Sequence, residues 1–365
     1  MKKEIDVVIP SFRLDETILL GIFSLAIPDE IMVNYILVAD NPAVEVPASI
    51  QQLAIQGKMQ LIINEQNIGF SKTRNKGINA GKADWILMLD DDIVPDPRLL
   101  FAYNDAIKKK PNSLGFIGVT DFPTPFNAVT KALFYNGAVG HFQSARHHEN
   151  LSWAPTANVL LNRSLLYPRL FNPDLQFGGE DISLLTENAF ANHKKYDSVP
   201  DAIVVHPWWN DGKKQWKRMF RYGKGAADII IEPHIVPYSY RDFTNTSESV
   251  FILLIMMLVA IIVPFHKPLL ISWIAIFILA ECITGLVRSF QISKSLSFPI
   301  AWQMITHKNA YEAGMLYRLI QKGRHNCIGK RIDVGFSKKY PSPFRLNRWK
   351  IFKTILIGVL IAVSL

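Results

Sequence analysis

Three consecutive aspartates are the residues of this sequence that most directly suggest chemistry. Asp90, Asp91 and Asp92 follow an apolar run that predicts a buried strand at residues 85–89. Residues two apart share one side of an extended chain, so Asp90 and Asp92 should converge while Asp91 points away. Neighbouring carboxylates repel each other unless a proton or a cation lies between them. Their oxygens suit Mg²⁺ or Mn²⁺ bound with a substrate diphosphate. The alternative, a helix N-cap, needs only one acid.

A second acidic pair follows two glycines at residues 178–181. Gly178 and Gly179 allow the backbone to approach a neighbour closely, and Glu180 and Asp181 begin a predicted helix. Acids at this position also cap a helix and interact with its dipole, which is the alternative interpretation. A carboxylate beside a bound sugar accepts the proton of an attacking hydroxyl. We therefore predict Asp181 as a general base and Glu180 as the neighbour that tunes it.

A third cluster, at residues 203–225, combines a histidine, two arginines and many aromatic residues. His206 ends a strand-like run and is either a further metal ligand or a hydrogen-bonded structural residue. Arg218 and Arg221 carry the planar guanidinium that binds a diphosphate or a lipid phosphate through two hydrogen bonds. The aromatic residues either pack in a core or at a membrane interface, or they form a wall for the acceptor or the leaving nucleotide.

The elements that must position these residues form an alternating pattern over the first 245 residues. Helices are predicted near residues 15–26, 71–80 and 97–109, and strands at residues 5–9, 35–39, 59–63, 85–89 and 115–119. This alternation predicts an α/β domain with a mostly parallel sheet. Ligands of such sheets bind at the carboxyl ends of the strands. Polar residues stand at these ends, at positions 10–11, 40–41, 64–65 and 90–92.

Composition and charge restrict the remaining possibilities. The 365 residues are 49% hydrophobic and 19% charged, which excludes a disordered or fibrous chain. Two cysteines exclude a disulfide scaffold. Residues 291–365 contain thirteen Lys or Arg and two acids, a net charge of 13 − 2 = +11, so the first 290 residues carry 9 − 11 = −2. A nearly neutral body with a basic tail indicates a membrane surface as partner and no nucleic acid.

Three apolar runs lie in the last third of the chain, at residues 250–265, 269–287 and 354–365. The first two are joined by three residues and predict a transmembrane hairpin, because a spanning helix needs about 20 apolar residues. Two buried core helices are the alternative. The third run is a transmembrane or an interfacial helix. The N-terminus lacks a secretory signal, and the basic residues after 288 favour the inner side. We therefore expect a multi-pass membrane protein with a cytoplasmic catalytic domain.

The motifs of the first 225 residues resemble those of the family-2 glycosyltransferases, which have the GT-A nucleotide-sugar-binding fold. The resemblance rests on the order and spacing of six segments: VVIPSF at 7–12, VADNPA at 38–43, NIGFSKTRNKGINAG at 67–81, LDDD at 89–92, TANVLLNRSLL at 156–166 and GGED at 178–181. It implies an inverting, metal-dependent enzyme that uses a UDP- or GDP-linked sugar with Mg²⁺ or Mn²⁺. Asp181 would be the general base with Glu180 beside it, and Asp92, Asp90 and His206 would bind the metal. The residues implied to line the nucleotide sugar are Pro10, Ser11, Asp40, Asn67, Gly69, Arg74, Asn75, Asp90, Asp91 and Arg218.

One departure from the family pattern concerns the mode of synthesis. Processive members carry Q-x-x-R-W, whereas Met219 occupies the last position here. The resemblance therefore implies a non-processive enzyme that adds one sugar to a lipid-linked saccharide in glycan or polysaccharide biosynthesis. The predicted organisation is a GT-A domain at 1–245, a transmembrane hairpin at 246–290, a basic membrane-proximal segment at 291–349 and a C-terminal helix at 350–365. An amphipathic helix is predicted within the basic segment, at 307–323.

Two other functions fit parts of the pattern. A sugar nucleotidyltransferase also uses Mg²⁺ and phosphates on an α/β fold, but residues 11–16, SFRLDE, lack the Gly- and basic-rich loop expected there. It would release pyrophosphate, whereas a glycosyltransferase releases a nucleoside diphosphate. A catalytically silent membrane scaffold would not need Asp90, Asp92 and Asp181 together. A transporter is disfavoured because the apolar runs form no repeated bundle.

Overall fold

The computed structural model describes residues 2–261, 267–342, 344–345 and 347–364. The chain divides into two compact units. The first, here called the sheet unit, comprises Met1–Thr124, Val139–Gln176 and Glu180–Asp211. The second, here called the helical unit, comprises Pro125–Ala138, Phe177–Gly179 and Gly212–Leu365. The chain therefore passes between the units several times, and the boundaries expected at 245, 290 and 349 stay predictions.

The described part of the sheet unit contains a nine-stranded sheet. Its strands are β1 Lys3–Ser11, β2 Ile31–Ala39, β3 Gln60–Ile63, β4 Trp85–Leu89, β5 Val94–Pro95, β6 Gly115–Asp121, β7 Asn150–Leu151, β8 Asn158–Asn162 and β9 Tyr196–Val205. Their order is β3-β2-β1-β4-β8-β6-β9-β5, and β7 pairs with β9. A small second sheet in the helical unit consists of β10 Ser239–Arg241 and β11 Lys330–Ile332.

Twelve α-helices occur within the described residues. They are α1 Glu16–Phe23, α2 Ala48–Ile55, α3 Phe70–Ala80, α4 Leu99–Lys109, α5 Ala128–Tyr135, α6 Arg163–Leu166, α7 Glu180–Ala191, α8 Trp216–Ile229, α9 Thr246–Val259, α10 Lys267–Ser293, α11 Phe298–Gln321 and α12 Arg348–Ser364. Short 3₁₀ segments lie at Gly140–Arg146, Trp209–Gly212, Val236–Tyr238 and His325–Cys327. The helices predicted at 15–26, 71–80 and 97–109 correspond to α1, α3 and α4. The helix predicted at 307–323 corresponds to the second half of α11, which ends at Gln321.

Parallel pairing dominates the first half of the sheet. β1 pairs with β2 over its whole length, from Lys3 opposite Ile31 to Ser11 opposite Ala39, and with β4 on its other edge. Val7, Val8 and Ile9 are fully buried, as expected for parallel strands covered on both faces. The predicted α/β class with a mostly parallel sheet is confirmed. The five predicted strands correspond to β1, β2, β3, β4 and β6.

Two helices of the helical unit, α8 and α11, approach each other through glycines. A Cβ atom on Gly314 would overlap the carbonyl oxygen of Phe220, and one on Gly223 would overlap that of Tyr311. Both obstacles are backbone atoms, which cannot rotate away as a side chain can. The two helices therefore lie closer together than any larger residue at these positions allows.

Replacing Gly314 with valine should destabilise the helical unit. The added side chain must push α8 and α11 apart, and overpacking of this kind costs about 1–3 kcal/mol. Thermal unfolding in detergent, followed by circular dichroism, should show a midpoint several degrees below that of the unmodified protein. Gly358→Val on α12 is the matched control, because a Cβ at that position would meet no atom within 4 Å beyond its chain neighbours and the nearby backbone of its own helix. Equal losses in the two variants would contradict the close approach.

The described parts of the three apolar runs lie largely in α9, α10 and α12. Among the described residues only Pro268–Ser293 within α10 is long and apolar enough to cross a membrane, with a mean hydropathy of 2.3 and 28% of its most apolar stretch buried. Thr246–Val259 is apolar but shorter. The connection between the two helices of the predicted hairpin, residues 262–266, lies outside the described residues.

Candidate functional site

The carboxyl ends of β1, β2 and β4 bring the predicted site residues to one edge of the sheet. Because the strands are parallel and in register, Ser11 at the end of β1 lies beside Ala39 at the end of β2. Asp40 follows β2 and Asp90 follows β4. The polar residues that end these strands therefore lie together, as the sequence predicted for a ligand site of an α/β sheet.

Asp90, Asp92 and His206 form one cluster at this edge. One ligand atom from each residue lies within 4.8 Å of the others. The His206 Nε2 atom is 3.2 Å from Asp92 Oδ1. Asp90 and Asp92 converge as the two-residue period predicted, and β9 supplies His206 from the far side of the sheet. Two carboxylates and one imidazole are a donor set that suits Mg²⁺ or Mn²⁺.

The ring of His206 is held in one tautomer and one orientation. Its Nδ1 atom lies 2.6 Å from the carbonyl oxygen of Pro207, which can only accept a hydrogen bond. Nδ1 therefore carries the proton, and Nε2 presents its lone pair towards Asp92 unless a second proton binds. The ring stacks on Phe122 with centroids 5.1 Å apart, and Trp208 and Trp209 pack against the same phenylalanine. This arrangement is typical of a metal-binding histidine, whose other nitrogen donates to a carbonyl.

Charges within the cluster shift the pKa values of its members. Burial lowers the pKa of His206, but the hydrogen bond to Asp92 and the charge of that residue raise it further, so the pKa lies above its ordinary value. Burial raises the pKa of Asp90, Arg74 opposes this, and the charge of Asp92 adds to the rise. The cluster therefore holds a proton or a cation more readily than isolated side chains would.

Asp91 has a different role from its two neighbours in this structure. Its Oδ2 atom accepts hydrogen bonds from the Ser11 hydroxyl at 2.8 Å and from the backbone nitrogens of Phe12 and Arg13. Its Oδ1 atom accepts from the Arg13 guanidinium at 2.8 Å. The carboxylate fixes the turn after β1, so its predicted contact with the nucleotide, like that of Ser11, stays a prediction.

Arg13 is a site residue that the sequence analysis did not single out. Its guanidinium lies 2.8 Å from Asp91 Oδ1 and 3.0 Å from Asp92 Oδ2, and its side chain is 55% exposed. An exposed arginine beside two aspartates can turn towards an incoming phosphate. The only signal in the sequence was a basic residue directly after the first strand.

Asp40 organises the loop between β3 and α3. Its Oδ1 atom accepts from Asn64 at 2.8 Å and from the backbone nitrogen of Ile68 at 2.9 Å, and its Oδ2 atom accepts from that of Gly69 at 3.0 Å. Asn67 accepts a further bond from the Gly69 nitrogen. Gly69 has a φ of 83°, which favours glycine. Asp40, Asn67 and Gly69 thus form one connected turn at the predicted nucleotide site.

Arg74 connects the aspartate cluster to the second acidic pair. It projects from α3, is 9% exposed, and donates to Glu180 Oε1 at 2.8 Å and to Asp90 Oδ1 at 3.3 Å. Its guanidinium also lies 5.4 Å from the ring centroid of Phe171. The guanidinium of Arg74 is therefore held between two carboxylates. It connects the beginning of α7 to the metal-type cluster, which is the group formed by Asp90, Asp92 and His206.

Asp181 differs from Glu180 in exposure and in its hydrogen bonds. Glu180 is buried and tied to Arg74, whereas Asp181 is half-buried and accepts a hydrogen bond from the Ile182 nitrogen. Burial and the charge of Glu180 raise the pKa of Asp181 to about 7, and Arg74 opposes the rise. A carboxyl with this pKa exchanges its proton near neutral pH, which suits a general base.

The remaining predicted residues lie in two places. Pro10 is half-buried near the end of β1, beside Val38 of β2. The Asn75 side chain is bound to the backbone of Phe171 through both its amide nitrogen and its oxygen. Arg218 belongs to the helical unit, where it donates to Gln215 at 3.1 Å and to the hydroxyl of Tyr222 at 3.2 Å.

Comparison with known proteins agrees with the motifs of the sequence. The profile of a family described as glycosyltransferase like family 2 matches residues 3–225. No curated protein matches the chain significantly.

Two solved structures resemble the chain at low sequence identity. The crystal structure of S. aureus TarS is 15% identical with a TM-score of 0.41, and the match covers 63% of this chain and 40% of that one. The crystal structure of GalNAc-T7 with UDP, GalNAc and Mn²⁺ is 13% identical with a TM-score of 0.48, and covers 68% and 51% respectively. The chain thus spans about half or less of the length of these two proteins.

Proposed function

This chain belongs to glycosyltransferase family 2, whose profile matches residues 3–225, and we propose that it is a nucleotide-sugar glycosyltransferase. We infer that it transfers one sugar from a UDP- or GDP-linked donor to a lipid-linked saccharide, with inversion at the anomeric carbon. The observation that carries this proposal is the position of Arg74. It bonds to Asp90 of the metal-type cluster and to Glu180 beside Asp181. A site for a diphosphate and a proton acceptor thus lie next to each other, as a displacement at the anomeric carbon requires.

Asp90, Asp92 and His206 would hold the divalent metal. When bound, Mg²⁺ or Mn²⁺ offsets the charge that develops on the leaving nucleoside diphosphate. Arg13 is placed to bind a phosphate oxygen of the donor, because it already lies beside Asp91 and Asp92. Arg74 holds Asp90 and Glu180 in place, and its charge opposes the rise that burial causes in the pKa of Asp90.

Asp181 would accept the proton of the acceptor hydroxyl. As the acceptor oxygen forms its bond to the anomeric carbon, the bond from that carbon to the phosphate oxygen breaks, and its electron pair leaves with the nucleoside diphosphate. The proton passes to the Asp181 carboxylate. One displacement inverts the configuration at the carbon. The buried Glu180 raises the basicity of Asp181 through its negative charge.

Two features that favour attachment of this chain to a membrane support the proposal that its acceptor is lipid-linked. The apolar α10 is long enough to cross a bilayer, and residues 291–365 carry a net charge of +11, which attracts anionic lipid. We place the catalytic domain on the cytoplasmic side, where the positive residues beside a spanning helix are normally found, and assign α9 and α12 to the same membrane region.

The release of nucleotide from purified protein tests the proposal. The full chain in detergent is supplied with a panel of nucleotide sugars, Mn²⁺ and a membrane lipid extract. We expect release of one nucleoside diphosphate that depends on both metal and lipid extract. Release of pyrophosphate would instead establish the nucleotidyltransferase. Metal-dependent nucleotide binding without turnover for any donor or extract would favour a scaffold.

The rate of transfer should rise with pH and level off above about 7. The carboxyl of Asp181 must be ionised to accept a proton, and its pKa lies at about 7. Below that pH most molecules carry a protonated, inactive base, so kcat should fall about tenfold for each further unit. The measurement is kcat at saturating donor between pH 5 and 9. A rate independent of pH below 7 would exclude Asp181 as the base.

A further inference from the structure

The helical unit contains a cavity of about 520 Å³ that is lined by apolar and by charged side chains. Its lining comes mainly from three helices: Glu281, Thr284 and Arg288 of α10, His307 and Glu312 of α11, and Lys350 and Lys353 of α12. Thr284 and Arg288 follow Glu281 at intervals of three and seven residues, so all three lie on one face of α10. The family motifs end before these residues, and the proposed reaction uses none of them.

Most charges around this cavity already have partners of opposite sign. Glu281 accepts from Lys308 at 2.8 Å and from Lys353 at 2.7 Å, and Lys350 lies 3.1 Å from Asp242. Arg288 is different, because its guanidinium donates to the neutral amide oxygen of Asn136 at 2.9 Å. Within the described part of the chain, no carboxylate lies within ion-pair distance of Arg288. Its positive charge is therefore available to an anion.

Four further polar atoms of the cavity lack hydrogen-bond partners among the described residues. They are both ring nitrogens of His307, the hydroxyl of Thr284 and the Oε2 atom of Glu312. His307 is 3% exposed, and burial lowers its pKa to about 4. Its ring is thus neutral at physiological pH and has one N–H to donate. Buried polar groups of this kind are normally paired, which points to a ligand that supplies the partners.

The chemistry of these groups defines the ligand. The guanidinium of Arg288, the imidazole N–H of His307 and the Thr284 hydroxyl are donors, and they suit the oxygens of a phosphate. The free oxygen of Glu312 is an acceptor, and it suits a hydroxyl group. A headgroup that carries both a phosphate and hydroxyls satisfies both sets of groups.

The surrounding helices indicate that this headgroup belongs to a lipid. α9 packs on α10 around Leu253 and Leu270, and α12 packs on α10 around Ile276 and Ile357. Thr246 at the beginning of α9 bonds to both Glu281 and Lys353, so the cavity lies beside the first turns of α9 and α12 and the second half of α10. Their outer faces expose large apolar side chains, among them Leu258 (65%), Ile271 (56%) and Ile355 (61%). A lipid fits this arrangement, because its polar headgroup can occupy the cavity while its apolar chain lies against the exposed apolar faces.

We propose that the cavity between α10, α11 and α12 binds the headgroup of an anionic lipid that carries a phosphate and hydroxyl groups, with Arg288 as the main contact to the phosphate. The acyl or isoprenyl chain then lies along the apolar faces of α10 and α12. The site would recognise the charge and the hydroxyl groups of the lipid whether or not the lipid is an acceptor. This lipid binding therefore does not depend on the proposed transfer reaction.

Lipid binding by the full chain tests this site. Radiolabelled phosphatidylglycerol, which carries one phosphate and two hydroxyls, is titrated into the protein in neutral detergent micelles. We expect saturable binding, and a loss of affinity of about tenfold or more in Arg288→Gln, because a hydrogen bond between charged groups is removed. Lys294→Gln is the charge-matched control, since Lys294 follows α10, is exposed and does not line the cavity. Thermal unfolding checks that each variant is folded.

Thr284→Val keeps the shape of the side chain and serves as a second variant if Arg288→Gln does not fold. It should weaken binding several-fold, because one donor is lost. Phosphatidylcholine with the same acyl chains should not displace the probe. Equal binding of both lipids, or unchanged affinity in both cavity variants, would overturn the proposal. Displacement by inorganic phosphate at concentrations similar to those of the lipid would show a site for soluble phosphate and would equally overturn it.

Discussion

Replacing Asp181 with asparagine should lower kcat by about 10²–10⁴-fold, the range that general-base catalysis contributes. Asparagine keeps the size of the side chain and its hydrogen bond from the Ile182 nitrogen, but it cannot take up a proton. In the proposed mechanism the donor is bound elsewhere, through the aspartate cluster and the arginines, so the KM for the donor should change little. The measurement is steady-state release of nucleoside diphosphate at saturating acceptor.

The control for Asp181→Asn lies on the same helix. Glu187 is exposed on α7, and Glu187→Gln removes one negative charge there without touching the site. Its kcat should equal that of the unmodified enzyme. The Asp181 variant should also lose the rise of activity around pH 7, because that pKa belongs to the deleted group. A large increase in KM with unchanged kcat would assign Asp181 to donor binding instead of proton transfer.

Local sequence patterns were sufficient to predict the aspartate pair. Leu87 and Leu89 alternate with Met88 along a strand that is buried on both faces, so the chain is extended where it reaches Asp90. Asp91 and Asp92 lie in a turn after β4, and Asp90 and Asp92 still converge, as the two-residue period predicted. The same argument predicted that Asp91 points away, and its four hydrogen bonds to the turn after β1 explain why an acid is needed there.

Local sequence patterns could not predict the contacts between segments that are distant in the chain. Arg74 and Glu180 are 106 residues apart, and neither helix carries a signal that identifies the other as its partner. The pairing depends on the whole sheet, since α3 follows β3 whereas α7 precedes β9. The motif resemblance placed Arg74 at the nucleotide. The structure adds that its guanidinium is bound by two carboxylates.

The antiparallel direction of strand β8, and its place in the sheet, could not be derived from the sequence. Val159, Leu160 and Leu161 are fully buried, and such a short apolar run fits a strand of either direction or a helix. Its position between β4 and β6 depends on pairing with both neighbours. Asn158 shows the specificity of this pairing, because its amide bonds to the backbone of Val119 and Ala202 and accepts from Tyr103.

Replacing Asp92 with asparagine should remove both metal binding and turnover. Asp92 is the residue of the cluster that contacts His206 and Arg13 together, and an amide oxygen is a much weaker ligand than a carboxylate for a hard cation. Without the metal, the leaving diphosphate loses several kcal/mol of stabilisation, so turnover should fall by about 10³-fold. The affinity for Mn²⁺, measured by calorimetry in the presence of nucleotide, should fall at least tenfold.

The matched control for Asp92→Asn is Asp96→Asn, four residues along the chain. Asp96 is exposed, and its Oδ1 accepts from the Arg98 nitrogen, which asparagine preserves. A readout independent of turnover comes from His206, whose pKa is raised above its usual value by Asp92 against the lowering effect of burial. In metal-free protein, the NMR titration of this ring should therefore move to lower pH in Asp92→Asn and stay unchanged in Asp96→Asn. An unshifted titration with activity lost would mean that Asp92 acts apart from His206, and the three-residue cluster could not be the metal site.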